Sequence, residues 1–378
     1  MCQMFFVGKP MRKVITYIVA IVATTLWGSQ TLSAQELRLG ADFTTLFDNK
    51  EYAGMEGDIS GTLFSARLTP HVGVEWREHN ELMFGVDLVQ NFGHKSKFLS
   101  DVNVQLYYGY TGNRLKLYAG IFPRTKMQGL DSPLYFDRSY RYYNNRIGGV
   151  LARYEWPKRG YIELAMDYTG MRDFDTREAF MIMSSARHTL GQSAHKASYG
   201  YDFYMGHYAK DNNPETIDGV VDNILLTPYV NYNGAFDLGG GRHSLTLDAK
   251  LSYVQSLQRD RIHEGTWEAP LGGELYVALG WHGLELSNRL FVGTGSLLTY
   301  YNRYGAELYH GCPMYRTSKG IYDAISLSYE QCFFDDTVGV ELGITAEYDG
   351  TAWGTRQWLQ VNVALDYGIS LKRKQHID

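Results

Sequence analysis

Cysteine, proline and long apolar stretches are all scarce in this sequence, and each scarcity excludes a class of protein. Three cysteines are too few for a disulfide framework. Nine prolines leave no Pro-rich seam between two domains. Beyond residue 34, no apolar run is long enough to cross a bilayer as a helix. The formal net charge of −5 shows no basic excess, so a nucleic-acid-binding protein is not expected.

The N-terminus carries a targeting segment. Arg12 and Lys13 precede an apolar run over residues 14–26, and Ser33-Ala34 provides a small-residue exit. The apolar run is shorter than the roughly 20 residues that a spanning helix needs. These features predict a secretory signal peptide over residues 1–34, cleaved after Ala34. The mature chain, residues 35–378, is expected to form one exported domain.

The C-terminal stretch WLQVNVALDYGISL (358–371) alternates strictly between apolar and polar residues. Leu359, Val361 and Val363 fall on one parity, whereas Gln360 and Asn362 fall on the other. This period of two predicts a strand with one apolar and one polar face. Strands of two-sheet sandwiches alternate as well, so the number of strands and their connections must decide between a soluble sandwich and a membrane barrel.

The same alternation recurs along the chain, and the connections are alternately tight turns and long loops. We count about 16 strands, which predicts an all-β fold, a closed antiparallel transmembrane β-barrel with short periplasmic turns and long extracellular loops. Tyr and Trp at strand ends, Trp358 among them, are predicted to form interfacial girdles. Cys312 falls in a loop and Cys332 near the far end of the next strand, so we expect no disulfide between them.

The signal segment, the alternating strands and the amphipathic closing strand together resemble the outer-membrane porin-like β-barrels of Gram-negative bacteria. The resemblance is one of architecture and covers residues 35–378. It implies an outer-membrane location, contact with lipid and lipopolysaccharide, insertion by the barrel-insertion machinery, and a homotrimer, which is common among 16-stranded porins. One departure is that the family pattern ends on an aromatic residue, whereas here Leu371 ends the alternation and residues 372–378 follow.

The resemblance also predicts a function, a channel for passive diffusion of small hydrophilic solutes such as ions or saccharides. Charged side chains on the polar parity are expected to line the lumen: Arg67, Glu75, Asp87, Arg114, Lys116, Glu163, Asp167, Asp248, Lys250, Arg289, Glu341 and Asp366. Porins of this size fold one long loop inward, and residues 123–146 are the candidate for such a constriction. Its charged residues are Lys126, Asp131, Asp137, Arg138, Arg141 and Arg146. The alternative is a loop that extends outward into solvent.

Two other functions stay open, a plugged barrel that acts as a surface scaffold or adhesin, and a barrel hydrolase such as a lipase, deacylase or protease. The stretch that contains Ser184, Ser185 and His188 offers a nucleophile and a base, but lacks the neighbours of known lipase or deacylase motifs. His207 and His243 are isolated in the sequence. Without CxxC or HExxH patterns, we expect no metal, no cofactor and no enzymatic activity.

Overall fold

The computed structural model describes residues 36–56, 60–93, 95–191, 194–213, 219–237, 244–298 and 309–370. Each of 16 strands pairs antiparallel with its neighbours in sequence, and the last strand pairs with the first, which closes a barrel. The predicted fold class and strand number are confirmed. The predicted signal peptide lies outside the described residues. The strands are β1 (Glu36–Glu51), β2 (Gly61–Trp76), β3 (Asn80–Asn91), β4 (Asp101–Thr111), β5 (Leu115–Pro123), β6 (Arg146–Trp156), β7 (Gly160–Gly170), β8 (Ala179–Leu190), β9 (His195–Tyr208), β10 (Val221–Asp237), β11 (Ser244–Asp260), β12 (Leu271–Trp281), β13 (Leu284–Gly293), β14 (Ile321–Phe333), β15 (Val338–Tyr348) and β16 (Trp353–Ser370).

The alternating side chains sort into an apolar exterior and a polar interior. Leu164, Val230 and Leu251 point outward and are 55%, 58% and 56% exposed, as expected for side chains whose solvent is lipid. A closed barrel leaves no strand edge unpaired, so every strand can satisfy its backbone hydrogen bonds within the bilayer. A closed barrel with an even number of strands and an apolar outer wall is the architecture of an outer-membrane protein.

The two ends of the barrel differ in their connections. At one end, which we call the turn end, β1 begins, β16 ends and the even-to-odd hairpins, such as β2–β3 and β12–β13, close tightly. The hairpin between β12 and β13 shows why, because His282 and Gly283 have φ angles of 50° and 81°, the left-handed conformation of a tight hairpin turn. The opposite end, which we call the loop end, carries the longer connections, including residues 124–145 and 294–320.

Two of these connections turn back into the barrel. The first, residues 124–145, is here called the inner loop and contains a short 3-10 turn (Arg124–Lys126) and the helix α1 (Arg138–Tyr143). The second, residues 309–320, is called the second inner segment and contains a 3-10 turn (Pro313–Arg316). Apolar residues of both, such as Phe136 and Met314, join inward side chains of the wall in one buried cluster. Among the described residues, no helix is long and apolar enough to span a bilayer.

Candidate functional site

The inner loop is anchored to the wall formed by β7 and β9. The Nη2 of Arg124 donates to Asp167 Oδ2 at 2.6 Å, and the backbone N–H of Gly129 donates to Glu163 Oε1 at 2.6 Å. The next N–H, of Leu130, donates to the Asp202 carboxylate at 3.2 Å. These carboxylates face the lumen because strand alternation places them there, and each receives a donor from the loop.

The same loop then crosses the lumen to the opposite wall. Asp137 accepts a hydrogen bond from Arg356 Nη1 at 3.0 Å and forms an ion pair with Lys50 Nζ at 3.2 Å. Burial alone would raise the pKa of Asp137, but these two cations hold it well below its usual range. Arg138 lies 4.6 Å from the ring centroid of Trp358. The expectation of Trp358 in a lipid-facing girdle is therefore wrong, since its indole is buried on the lumen side.

The second inner segment fastens onto the inner loop. The backbone N–H of Asp137 donates to His310 O at 2.8 Å, and the N–H of Cys312 donates to Pro133 O at 2.7 Å. His310 also stacks on Tyr140, with ring centroids 4.2 Å apart. The two segments therefore form one body that fills the lumen towards the loop end.

The sequence-predicted constriction residues all lie on this inner loop or at its end, and salt bridges involve most of them. Beyond the contacts of Asp137, Lys126 pairs with Glu81 at 3.4 Å and Arg138 with Glu341 at 2.9 Å. Arg146 pairs with Asp87 at 3.6 Å. The other two, Asp131 and Arg141, line the cavity beneath the loop. The loop thus folds inward, while a role of these charges in ion selection stays a prediction.

The other predicted lumen charges are mostly bound to neighbours on the wall. Two lie apart from the rest: Arg114 belongs to a turn and donates to Tyr154 OH at 3.3 Å, and the side chain of Asp366 is 60% exposed at the turn end. The remaining contacts are Arg67–Asp87 (2.9 Å), Glu75–Arg38 (3.1 Å), Lys116–Glu155 (2.9 Å), Glu163–Arg153 (3.4 Å), Asp167–Arg124 (2.6 Å), Asp248–Asn231 (2.7 Å), Lys250–Asp202 (3.6 Å), Arg289–Glu274 (2.5 Å) and Glu341–Arg138 (2.9 Å).

Two cavities open in the lumen beside the inner loop. The larger measures about 860 Å³ and is lined by charged side chains of both signs, Arg138 and Glu341 among them, and by neutral ones such as Trp358 and Ser287. The second measures about 710 Å³ and lies between the turn-end parts of β5 to β10. Both sizes are in the range of small-molecule sites.

The serine and histidine that suggested a hydrolase are not brought together. Ser185 points into the lumen, where its Oγ donates to Asp202 Oδ1 at 2.8 Å. Ser184 and His188 belong to the opposite, outward parity of β8, and the His188 ring packs against Tyr199. His243 lies outside the described residues.

A polar cluster on the outer wall, which sequence reasoning missed, brings together side chains of three adjacent strands. We call His207, Asp222, Arg259 and Arg261 the rim cluster. Asp222 Oδ1 lies 3.0 Å from His207 Nδ1 and accepts from Arg261 Nη2 at 3.0 Å. Its Oδ2 accepts from Arg261 Nε at 2.7 Å and from Arg259 Nη2 at 3.1 Å.

The rim cluster sits at the loop end and faces the membrane. His207 is the second-last residue of β9 and Asp222 the second of β10, both on the parity opposite to the buried inward residues. Phe180 stacks on the His207 ring at 4.8 Å between centroids, and Arg259 lies 4.5 Å from the centroid of Trp267. In the sequence, these charged residues already stand out because they fall on the face of each strand that points towards lipid. Only the register of the paired strands shows that they meet. Within the described part of the chain, no group of three or more His, Cys, Asp or Glu residues could hold a metal ion.

Comparison with solved structures shows the same fold in bacterial outer-membrane proteins. OprB of Pseudomonas putida superposes with a TM-score of 0.50 at 10% identity, over 87% of this chain and 94% of that one. The loop L8 deletion mutant of OmpT, an outer membrane protein of Vibrio cholerae, gives 0.47 at 11% identity over 88% and 99%. OccD3 (OpdP) of Pseudomonas aeruginosa gives 0.46 at 12% identity over 90% and 93%. The predicted porin-like architecture is confirmed, and at these identities the likeness concerns the fold alone.

Comparison of the sequence with protein families gives a different kind of result. No curated protein matches the chain. The family model described as lipid A 3'-O-deacylase-type matches residues 29–372, nearly the whole chain. This match overturns the prediction that the protein is not an enzyme, which rested on the absence of familiar hydrolase motifs. The chain belongs to the lipid A 3'-O-deacylase-type family.

Proposed function

We propose that this barrel hydrolyses an ester-linked acyl chain of lipid A in the outer leaflet of the outer membrane. The family supports the substrate class, and the rim cluster is the observation that carries the proposal. Its histidine–carboxylate pair faces the bilayer at the loop end, and long loops mark the extracellular end of outer-membrane barrels. Lipid A occupies the leaflet at that end, so its sugar-linked esters lie level with the cluster.

The geometry of His207 suits a general base. When Nδ1–H donates to Asp222, the lone pair of Nε2 is left free to accept a proton. Nε2 removes a proton from a water molecule as the water oxygen bonds to the ester carbonyl carbon. The bond from that carbon to the sugar oxygen then breaks, and His207 returns the proton to the leaving oxygen. The products are a free fatty acid and a lipid with one acyl chain fewer.

The two arginines suit the charge that this reaction develops. A guanidinium has five N–H donors, and Arg259 and Arg261 use only some of theirs on Asp222. The side chain of Arg261 is 45% exposed at the membrane surface, where it can contact a lipid phosphate. Arg259 is held over Trp267, and its free donors would stabilise the tetrahedral oxyanion.

The test is a deacylation assay on purified, folded protein in vesicles that contain lipid A, with mass spectrometry of the lipid. We expect the loss of one acyl chain in the wild type. His207→Gln should lower the rate by about 100-fold or more, in the range of general-base contributions. The matched control is His195→Gln, because His195 lies on the same strand and the same outward face but at the turn end. It should keep the wild-type rate.

Folding of each variant is checked by gel electrophoresis, in which a folded barrel changes its mobility on heating. A loss of activity can then be distinguished from a loss of folding. A folded wild type that releases no fatty acid would rule out the proposal. Equal activity in His207→Gln and the wild type would remove the rim cluster from the reaction while leaving deacylation at another site.

A second candidate function, passive diffusion of small hydrophilic solutes, is favoured by the two cavities in the lumen. The inner loop and the second inner segment narrow the path between them and the loop end, so only small conductance steps are expected. Planar bilayers with a salt gradient would measure both the step size and the ion preference. A silent bilayer that contains folded protein would argue against a channel.

A further inference from the structure

The smaller cavity has a charge pattern that the proposed deacylation does not use. It opens at the turn end and is here called the turn-end pocket, with a volume of about 710 Å³. Basic residues from three separate parts of the chain line it, namely Lys158 in the β6–β7 turn, Arg187 on β8 and Lys196 on β9. It is far from the rim cluster, which lies at the opposite end of the same strands.

These three cations form no close ion pair with a carboxylate. None of them forms an ion pair among the residues that the structure describes, and the one described carboxylate that lines the pocket is Glu155. Glu155 is already held by Lys116 at 2.9 Å and by Arg153 at 2.8 Å. The pocket therefore carries an excess of positive charge.

This excess is unusual inside the barrel. Among the described residues of the lumen, many buried or half-buried cations are matched by carboxylates, as in Arg124–Asp167 at 2.6 Å and Lys250–Asp202 at 3.6 Å. Like charges near one another repel, and the carboxylate that acts on Arg187, Asp131 of the inner loop, is shared with Arg141 and Lys250. An anion from solution would offset the repulsion.

The remaining lining supplies hydrogen-bond donors. Thr189 and Ser198 face each other across β8 and β9, and both line the pocket. The guanidinium of Arg187 lies 5.5 Å from the ring centroid of Tyr161, which is its direct neighbour across β7 and β8. The Tyr161 hydroxyl is in turn fixed by Ser185 at 3.1 Å, so the ring is a stable platform for the arginine.

We infer that the turn-end pocket binds a small soluble anion with two or more charges, of the phosphate or carboxylate class, that enters from the periplasm. Arg187 supplies a planar fork of donors, and Lys158 and Lys196 add charge. Hydroxyl donors from Thr189 and Ser198 complete the set. The site is independent of the rim cluster, so either assignment can fail alone.

Isothermal titration of the full, detergent-purified chain would test this with three probes, tripolyphosphate, citrate and the neutral sugar maltose. We expect saturable binding of one or both anions, weakened by added NaCl, and none of maltose. Arg187→Gln and Lys196→Gln should each weaken the binding by about tenfold, because each removes a charged contact. Both side chains are exposed, so folding should be unaffected.

Lys97→Gln is the matched control, since Lys97 is an exposed lysine at the loop end, and it should keep the wild-type affinity. If only tripolyphosphate binds tightly, the pocket is a phosphate site. If only citrate binds tightly, it is a carboxylate site. The inference fails if neither anion binds, if maltose binds equally well, or if Lys97→Gln lowers the affinity as much as the pocket variants.

Discussion

Arg356 of β16 joins Asp48 of β1 to Asp137 of the inner loop. Its Nε donates to Asp48 Oδ1 at 2.7 Å, while its Nη1 donates to Asp137 Oδ1 at 3.0 Å. One buried guanidinium thus links the first strand, the last strand and the segment that fills the lumen. Removal of one partner would leave the others with unpaired buried charge.

Asp137→Asn should loosen the inner loop. The change removes the charge that Arg356 and Lys50 share, and disruption of a buried pair costs about 3–5 kcal/mol. We expect faster trypsin cleavage at the loop arginines and larger conductance steps in planar bilayers. The control is Glu330→Gln, which alters an exposed acid at the turn end. An unchanged digestion pattern in Asp137→Asn would show that the apolar contacts alone seat the loop.

Gly129→Ala should also unseat the inner loop, for a steric reason. A Cβ at this position would lie 2.1 Å from the Cβ of Ser185, so the loop must shift away from the wall and lose the hydrogen bond to Glu163. Overpacking of this kind costs about 1–3 kcal/mol. Gly339→Ala is the control, because a Cβ there meets nothing within 4 Å. Equal thermal unfolding temperatures of the two variants would contradict the prediction.

The second inner segment should lose stability in acid. Burial and the nearby Arg124 lower the pKa of His310 to about 4. When the segment is released, this histidine regains a pKa of about 6.5 and takes up a proton below that pH. The seated state is therefore fully stable above about pH 6.5, and it loses up to about 3 kcal/mol as the pH falls to 4.

Hydrogen exchange of residues 309–316, corrected for the intrinsic effect of pH, would measure this loss. His310→Gln cannot be protonated and should show protection that does not change over the same range. Protection in the wild type that is constant from pH 7 to 4 would mean that the stack on Tyr140 tolerates the imidazolium.

The two cysteines should react at very different rates. Cys312 is buried in the lumen, and burial raises the pKa of its thiol to about 12, whereas Cys332 is exposed near the turn end. Since the thiolate is the reactive form, maleimide should label Cys332 at least about 100-fold faster. Mass spectrometry of Cys332→Ser should show no label until the protein is denatured. Rapid labelling of this variant would mean that the second inner segment opens readily.

The strands were predictable because alternation is a local property. Leu359 and Gln360 fix the faces of β16 without knowledge of any neighbour. Trp358 was assigned wrongly because its residue type, typical of membrane interfaces, was given more weight than its parity, which is that of Gln360. The parity of a residue decides which face of the sheet its side chain occupies, because successive side chains of a strand point to opposite faces.

The site was less predictable because it depends on register and on buried charge. Asp222 and Arg259 are far apart in sequence and meet only when β10 and β11 pair. Charge composition could not tell whether residues 123–146 turn inward or outward. The loop turns inward because acceptors such as Asp167 and Glu163, which belong to a strand outside the loop, bind its donors. The absence of a known hydrolase motif was a poor guide to activity, because a base and its carboxylate can come from different strands.

The bridge from Asp48 to Arg356 has a consequence for how the barrel closes. β1 and β16 lie at opposite ends of the described chain, and their pairing is the contact that completes the cylinder. Arg356 holds both Asp48, on the opposite edge of that seam, and Asp137 of the inner loop, so the seam and the interior share one side chain. A change at Arg356 therefore affects both, whereas a change at Asp137 leaves the contact between the first and last strands in place.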